Sequence, residues 1–252
     1  MIGMTELELL CGDKLTTGNM VIKQPTIREI KQFGEREYFT LVQALTFRPY
    51  DDKVRLDDMG IDYEEMSEFE YFVFTHKSLA GFQEEYDISL LIEGVNFGKL
   101  ELEKNIENGE LALRDELTGV VIDRLIHGEI TDFIRTTHHM PKKPEFNPGN
   151  KATKKDLIDR ERRKQKREKN GKNGKKFESH LAPVISSLVW DSGSAGDYAH
   201  IWDLTLYQLM DGLWRKRKIK EYTGVISGIY AGTVDRSKVN MDELIWHGKN
   251  EF

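Results

Sequence analysis

Charge is sorted into blocks along this chain. Residues 142–176 carry 15 Lys and Arg against 5 Asp and Glu, a net of +10. Residues 1–141 carry 14 against 28, a net of −14, and residues 177–252 come to −2. A run as charged as 142–176 has too few apolar side chains to bury a core of its own. The core must therefore come from the flanking parts. We expect an acidic helical domain over residues 1–140, a basic segment over 141–176, and a helical region over 177–252 that packs back on the first domain.

The basic segment opens on Pro141, Pro144 and Pro148, which resist helix. From Thr153 to Lys169 nothing breaks a helix, and Asp156 and Asp159 suit its first turns. Asn170-Gly171 and Asn173-Gly174 are expected to stop it. The first expectation is a solvated helical insertion between flexible hinges. A docking role onto an acidic surface, such as a neighbouring copy, would fall to Arg160, Arg162, Arg163, Lys164, Lys166 and Arg167. Nucleic-acid binding through residues 151–176 is less favoured, because no aromatic residue interleaves with the charges until Phe177.

In the acidic part, Glu6 to Gly12 suggests a short strand and Met20 to Lys23 a second, joined through Thr17-Gly18-Asn19 as a hairpin. Thr26 with Glu29 and Ser67 with Glu70 have capping-box spacing and open helices. Gly34 breaks the first of these. A helix over Tyr50 to Met59 ends at Gly60. The aromatic run Phe69 to Phe74 reads as a packing face. Segments at Asp87–Leu91, Lys99–Glu103 and Glu110–Leu113 suggest one small antiparallel sheet. From Thr118 a helical pattern returns through Val121, Ile122, Leu125 and Ile126, with a further turn from Thr131.

Beyond the basic segment, Leu181 to Val189 predicts a short helix, followed by a loop at 192–196 and a long helix from about His200. On that helix Trp202, Leu206, Leu209, Met210 and Leu213 form one apolar stripe. Burial in the protein's own core is favoured for the stripe, and a client-binding face is the other reading. Gly224, Gly228 and Gly232 recur every four residues, which permits close backbone approach at a cost in helix propensity. The fold class expected is mainly α-helical (α+β), with a small antiparallel β component and a charged helical insertion.

Catalytic signatures are not found. His127-Gly128-Glu129 has the H-x-E spacing of a zinc deaminase but lacks its cysteines, since Cys11 is the single thiol. His138-His139 are adjacent, so a helix would turn their rings apart. Acidic pairs such as Asp51-Asp52, Asp57-Asp58 and Glu64-Glu65 arise freely among 43 carboxylates. The expectation is no enzyme, no cofactor and no metal. No run approaches about eighteen apolar residues, so no membrane span is expected, and the N-terminus lacks the pattern of a secretory signal.

Two stretches carry a resemblance. One runs Ile185-Ser186-Ser187-Leu188-Val189-Trp190, then Ile201-Trp202-Asp203-Leu204-Thr205-Leu206-Tyr207-Gln208-Leu209-Met210-Asp211, then Gly228-Ile229-Tyr230-Ala231-Gly232 and Leu244-Ile245-Trp246. The other is Ile22-Lys23-Gln24-Pro25-Thr26-Ile27-Arg28-Glu29-Ile30. Together they resemble tail-module proteins of long-tailed bacteriophages of Gram-positive bacteria, the tail assembly chaperones in particular. The resemblance implies a non-enzymatic protein that holds the apolar helices of a tape-measure protein while the tail tube assembles. It implies tape-measure or other tail proteins as partners, self-association, and action in the host cell cytoplasm. A structural or connector component of the virion is the alternative. Residues 86–113 and the basic segment stand as additions to that pattern.

Overall fold

The computed structural model describes residues 3–104, 109–142, 144–146, 148–172, 177–190 and 198–244. The fold is mainly α-helical, as expected, and its antiparallel β component is two small sheets rather than a hairpin and one sheet. Its first element corrects the sequence reading. Glu6–Cys11 is a helix, α1, and not a strand. Thr5 and Glu8 form a capping box there, and Leu9 is buried beneath it. A side-chain cap of this kind is worth about 1 kcal/mol, and it outweighs the strand-like alternation.

The hairpin begins later than expected, with β1 (Leu15–Thr17) and β2 (Met20–Ile22). Thr17 pairs with Met20, leaving a two-residue turn at Gly18-Asn19 in which both residues have positive φ. That conformation matches the twist of the strands and favours Gly and Asn. β3 (Ile92–Glu93) completes the sheet on the far side of β2. The second sheet is β4 (Glu101–Lys104), β5 (Leu111–Asp115) and β6 (Val120–Ile122). Residues 120–122, read above as helical, are thus a strand, and Ile88–Leu90 is a 3-10 turn where a strand was expected. The tip of the first hairpin rests on the second sheet. Asn19 Nδ2 donates to the Gly119 carbonyl at 2.9 Å, and a Cβ on Gly18 would lie 2.5 Å from the Val121 carbonyl oxygen.

Both predicted capping boxes form, opening α2 (Ile27–Phe33) and α5 (Glu68–Glu85). Gly34 separates α2 from α3 (Glu35–Thr46). The expected helix after Pro49 is a 3-10 turn over Pro49–Asp52 followed by α4 (Lys53–Asp58). α6 (Arg124–Thr137) is one continuous helix, capped by Asp123. The basic helix, α7 (Lys151–Lys172), continues through Asn170-Gly171 instead of stopping there. Asn173-Gly174 and the 192–196 loop lie outside the described residues. α8 (Leu181–Trp190) is as expected. The last helix, α9 (Leu206–Tyr230), starts later than His200: Ile201–Asp203 is a 3-10 turn, and Thr205 with Gln208 forms the capping box.

One large cluster joins α1 to α3, α5, α6, α8, the start of α9 and both sheets, with Tyr38, Phe97, Phe133 and Met20 fully buried. Phe69, Tyr71 and Phe72 of the aromatic run are buried, while Phe74 is exposed. The two resemblance-bearing stretches meet in space. The Ile27 amide donates to the Leu204 carbonyl at 2.9 Å, and Arg28 pairs with Asp203 at 2.9 Å. A second, small cluster contains Val54, Leu56, Tyr63, Tyr71 and Ile158.

Candidate partner-binding surfaces

His127 and His138 are buried in the core. His138 Nδ1 lies 2.7 Å from the Ile134 carbonyl, so that nitrogen carries the proton and donates. Nε2 is then the acceptor for the Tyr38 hydroxyl at 2.6 Å. Burial holds His138 neutral, with its pKa pushed down to about 4, and pushes the Tyr38 phenol up. His127 packs on Phe72 and Phe69, and burial likewise lowers it to about 4. His139 stacks on Tyr207, and its Nε2 lies 3.2 Å from the Tyr207 carbonyl. Among the described residues no group of three His, Cys, Asp or Glu could hold a metal ion, and no helix is long and apolar enough to cross a membrane.

α9 has two unlike halves. Its first turns are anchored. Gln208 Nε2 donates to the Leu10 carbonyl at 2.7 Å, and Arg215 bridges Asp211 and Glu6. Leu206 and Leu209 are buried in the main core, and Met210 and Leu213 pack against it. Trp202, expected on the same helix, sits on the preceding 3-10 turn, with the Lys31 ammonium 5.4 Å from its ring centre. This stripe therefore packs into the protein's own core, the reading favoured by sequence.

Past Leu213 the helix leaves the core. Ile219 is 41% exposed and Tyr230 88% exposed, while Tyr222, Ile226 and Ile229 are half-buried. Ile219, Tyr222, Ile226 and Ile229 follow a 3-4-3 spacing, which places them on one seam of the helix. None of the four joins either buried cluster among the described residues. The other flank of this half is covered by the returning chain. The Gly228 carbonyl accepts from the Thr233 and Val234 amides, Lys218 Nζ donates to the Glu243 carbonyl, and Leu244 is buried nearby. Gly228 permits that return, since a Cβ there would lie 2.7 Å from Val234 Cγ2. A basic run, Arg215 to Lys218, precedes the seam. Beside it a cavity of about 560 Å³ opens between α8 and α9, lined by Leu188, Trp190, Leu213, Lys216, Arg217 and Lys220. Sequence reasoning did not find this seam, although the 3-4-3 spacing was there to be read.

The second surface lies under α7. The helix is not solvated all round: it docks on α4 and the loop that follows. Lys154 bridges Asp62 and Glu64, and its ammonium lies 4.7 Å from the Tyr63 ring centre. Burial works against that ammonium, but the two carboxylates more than offset it and raise its pKa. One helical turn later Ile158 is 4% exposed and enters the small cluster. After another turn Arg162 pairs with Asp57 at 2.9 Å and Asp58 at 2.6 Å. Of the six residues expected to contact an acidic surface, only Arg162 faces this one. Arg160 and Arg163 pair with Asp156, Lys164 with Glu161, and Lys166 and Arg167 are exposed. The acidic surface met by the basic helix thus belongs to the same chain.

Residues 169–249 match the family described as YomV second domain, a Bacillus phage-derived family. The match spans the end of α7, α8, α9 and the return that follows. No curated protein and no solved structure matches the chain.

Proposed function

We propose that this chain is a non-enzymatic phage tail assembly chaperone that holds apolar helices of a tape-measure protein in the host cell cytoplasm. The observation that carries the reading is the outer half of α9. It projects an apolar seam, Ile219, Tyr222, Ile226 and Ile229, outside both buried clusters. Helix-in-groove recognition uses anchors at this spacing. The anchored first turns hold the seam in place, so little ordering accompanies binding. The match of residues 169–249 to a phage-derived family is consistent with a phage protein.

The test is co-expression with the tape-measure protein of the same phage. The wild-type chain should bring that protein into the soluble fraction as a complex. Ile226→Asp should lose the complex while leaving the fold intact by circular dichroism. Equal solubility of the tape-measure protein with and without this chain would refute the reading. Recovery of the chain in stoichiometric amounts from purified virions would identify a structural component instead.

A further inference from the structure

We propose that the acidic groove formed by α4 and residues 61–66 is a receptor site for α7, and that α7 of a second copy can take the place of the chain's own. The groove has a readable register. Carboxylates of Asp62 and Glu64 meet a cation at position 154, and Val54, Leu56, Tyr63 and Tyr71 meet an apolar side chain at 158. Asp57 and Asp58 meet a cation at 162. An occupant needs a helix with cation, apolar residue and cation four residues apart. α7 of any other copy carries that pattern by identity.

The cis contact is built to be exchangeable. It rests on one buried apolar side chain, on Lys154 held between Asp62 and Glu64, and on Arg162 pairs that water reaches and salt screens. It is also imperfect, because Tyr63 Oη is buried there with no hydrogen-bond partner among the described residues. The flanking sequence is punctuated by Pro144, Pro148 and Gly149 on one side and by Gly174 on the other. Exchange of an identical element between copies is a low-cost route to a dimer, because it makes no new kind of contact.

The experiment uses two full-length chains in a Cys11→Ser background, one with Asp58→Cys and one with Arg162→Cys. They are mixed at high concentration in about 1 M salt, where screening reaches within about 3 Å, returned to low salt, and treated with a short bis-maleimide. Each chain has a single thiol, so a 58–162 cross-link forms only between copies. Such a mixed dimer also keeps one complete set of groove contacts. The expected result is a doubling of mass in the mixture, with the 58–162 link found by mass spectrometry and lost on adding Ile158→Asp to the Arg162→Cys chain. A chain carrying both cysteines reports the cis contact. An internal link in that chain, with no mixed dimer above the level of either chain alone, would overturn the proposal.

Discussion

Ile158→Ala probes how α7 is held. Full burial of an isoleucine side chain is worth roughly 1.5–3 kcal/mol, and among the described residues Ile158 is the only one of α7 in the small cluster. Truncation removes most of that and leaves a cavity among Val54, Leu56, Tyr63 and Tyr71, so the loss is about 2 kcal/mol. The remaining contacts are the half-buried Lys154 pairs with Asp62 and Glu64 and the exposed Arg162 pairs, the latter contributing little individually. A free-energy change of about 2 kcal/mol raises the undocked population about thirtyfold. A charged helix released from its groove is marginal by itself, so its amides then exchange. Hydrogen exchange read by mass spectrometry should show residues 154–165 exchanging about thirtyfold faster, with the amides of α5 and α6 unchanged. Raising salt should shift the wild-type chain in the same direction. Unchanged exchange in α7, or acceleration shared equally by α5 and α6, would refute a helix held chiefly by this one side chain.

Acid should destabilise the fold through its buried histidines. His138 and His127 titrate near 4 when folded and near 6.5 when unfolded, so between those values the unfolded chain binds more protons. Stability contributed by each neutral ring is complete above about 6.5 and falls by up to about 3 kcal/mol as pH drops to 4. Urea titrations at pH 7 and pH 5 that gave equal stability would contradict this. Gly224→Ala and Gly228→Ala should differ in sign. Gly224 faces open space, so alanine gains about 1 kcal/mol of helix propensity, whereas at Gly228 the added Cβ collides with Val234 Cγ2 and displaces the return. Thermal unfolding decides, and equal shifts for the two would be inconsistent with the packing. Gly18→Ala should cost more than about 1 kcal/mol, because it combines a left-handed backbone with a 2.5 Å approach to the Val121 carbonyl. An unchanged melting temperature would contradict the account of the hairpin tip.

Local signals were legible in the sequence wherever one residue type has one mechanical use. Thr26 with Glu29 and Ser67 with Glu70 opened helices because their side chains satisfy orphan amides. The same box at Thr5 and Glu8 was hidden by the alternation of Glu6–Cys11. Val120–Ile122 was read into the following helix because its apolar side chains run on into those of α6; the strand is set by hairpin pairing with Leu113, Arg114 and Asp115 across the turn at 116–119. β3 is likewise a strand because Val21 and Ile22 lie beside it, about seventy residues earlier in the chain. For α7 the composition argued for a solvated helix. The one contrary signal was Ile158, midway between Lys154 and Arg162. The seam from Ile219 to Ile229 was obscured by Gly224 and Gly228, which lower helix propensity within it.

The central claim is that the outer half of α9 receives a client helix. Hydrogen exchange along α9 in the purified complex with the tape-measure protein measures it directly. The account predicts strong added protection over residues 219–230, with α2 and α6 unaltered. Protection confined to other elements, with residues 219–230 exchanging as in the free chain, would contradict it.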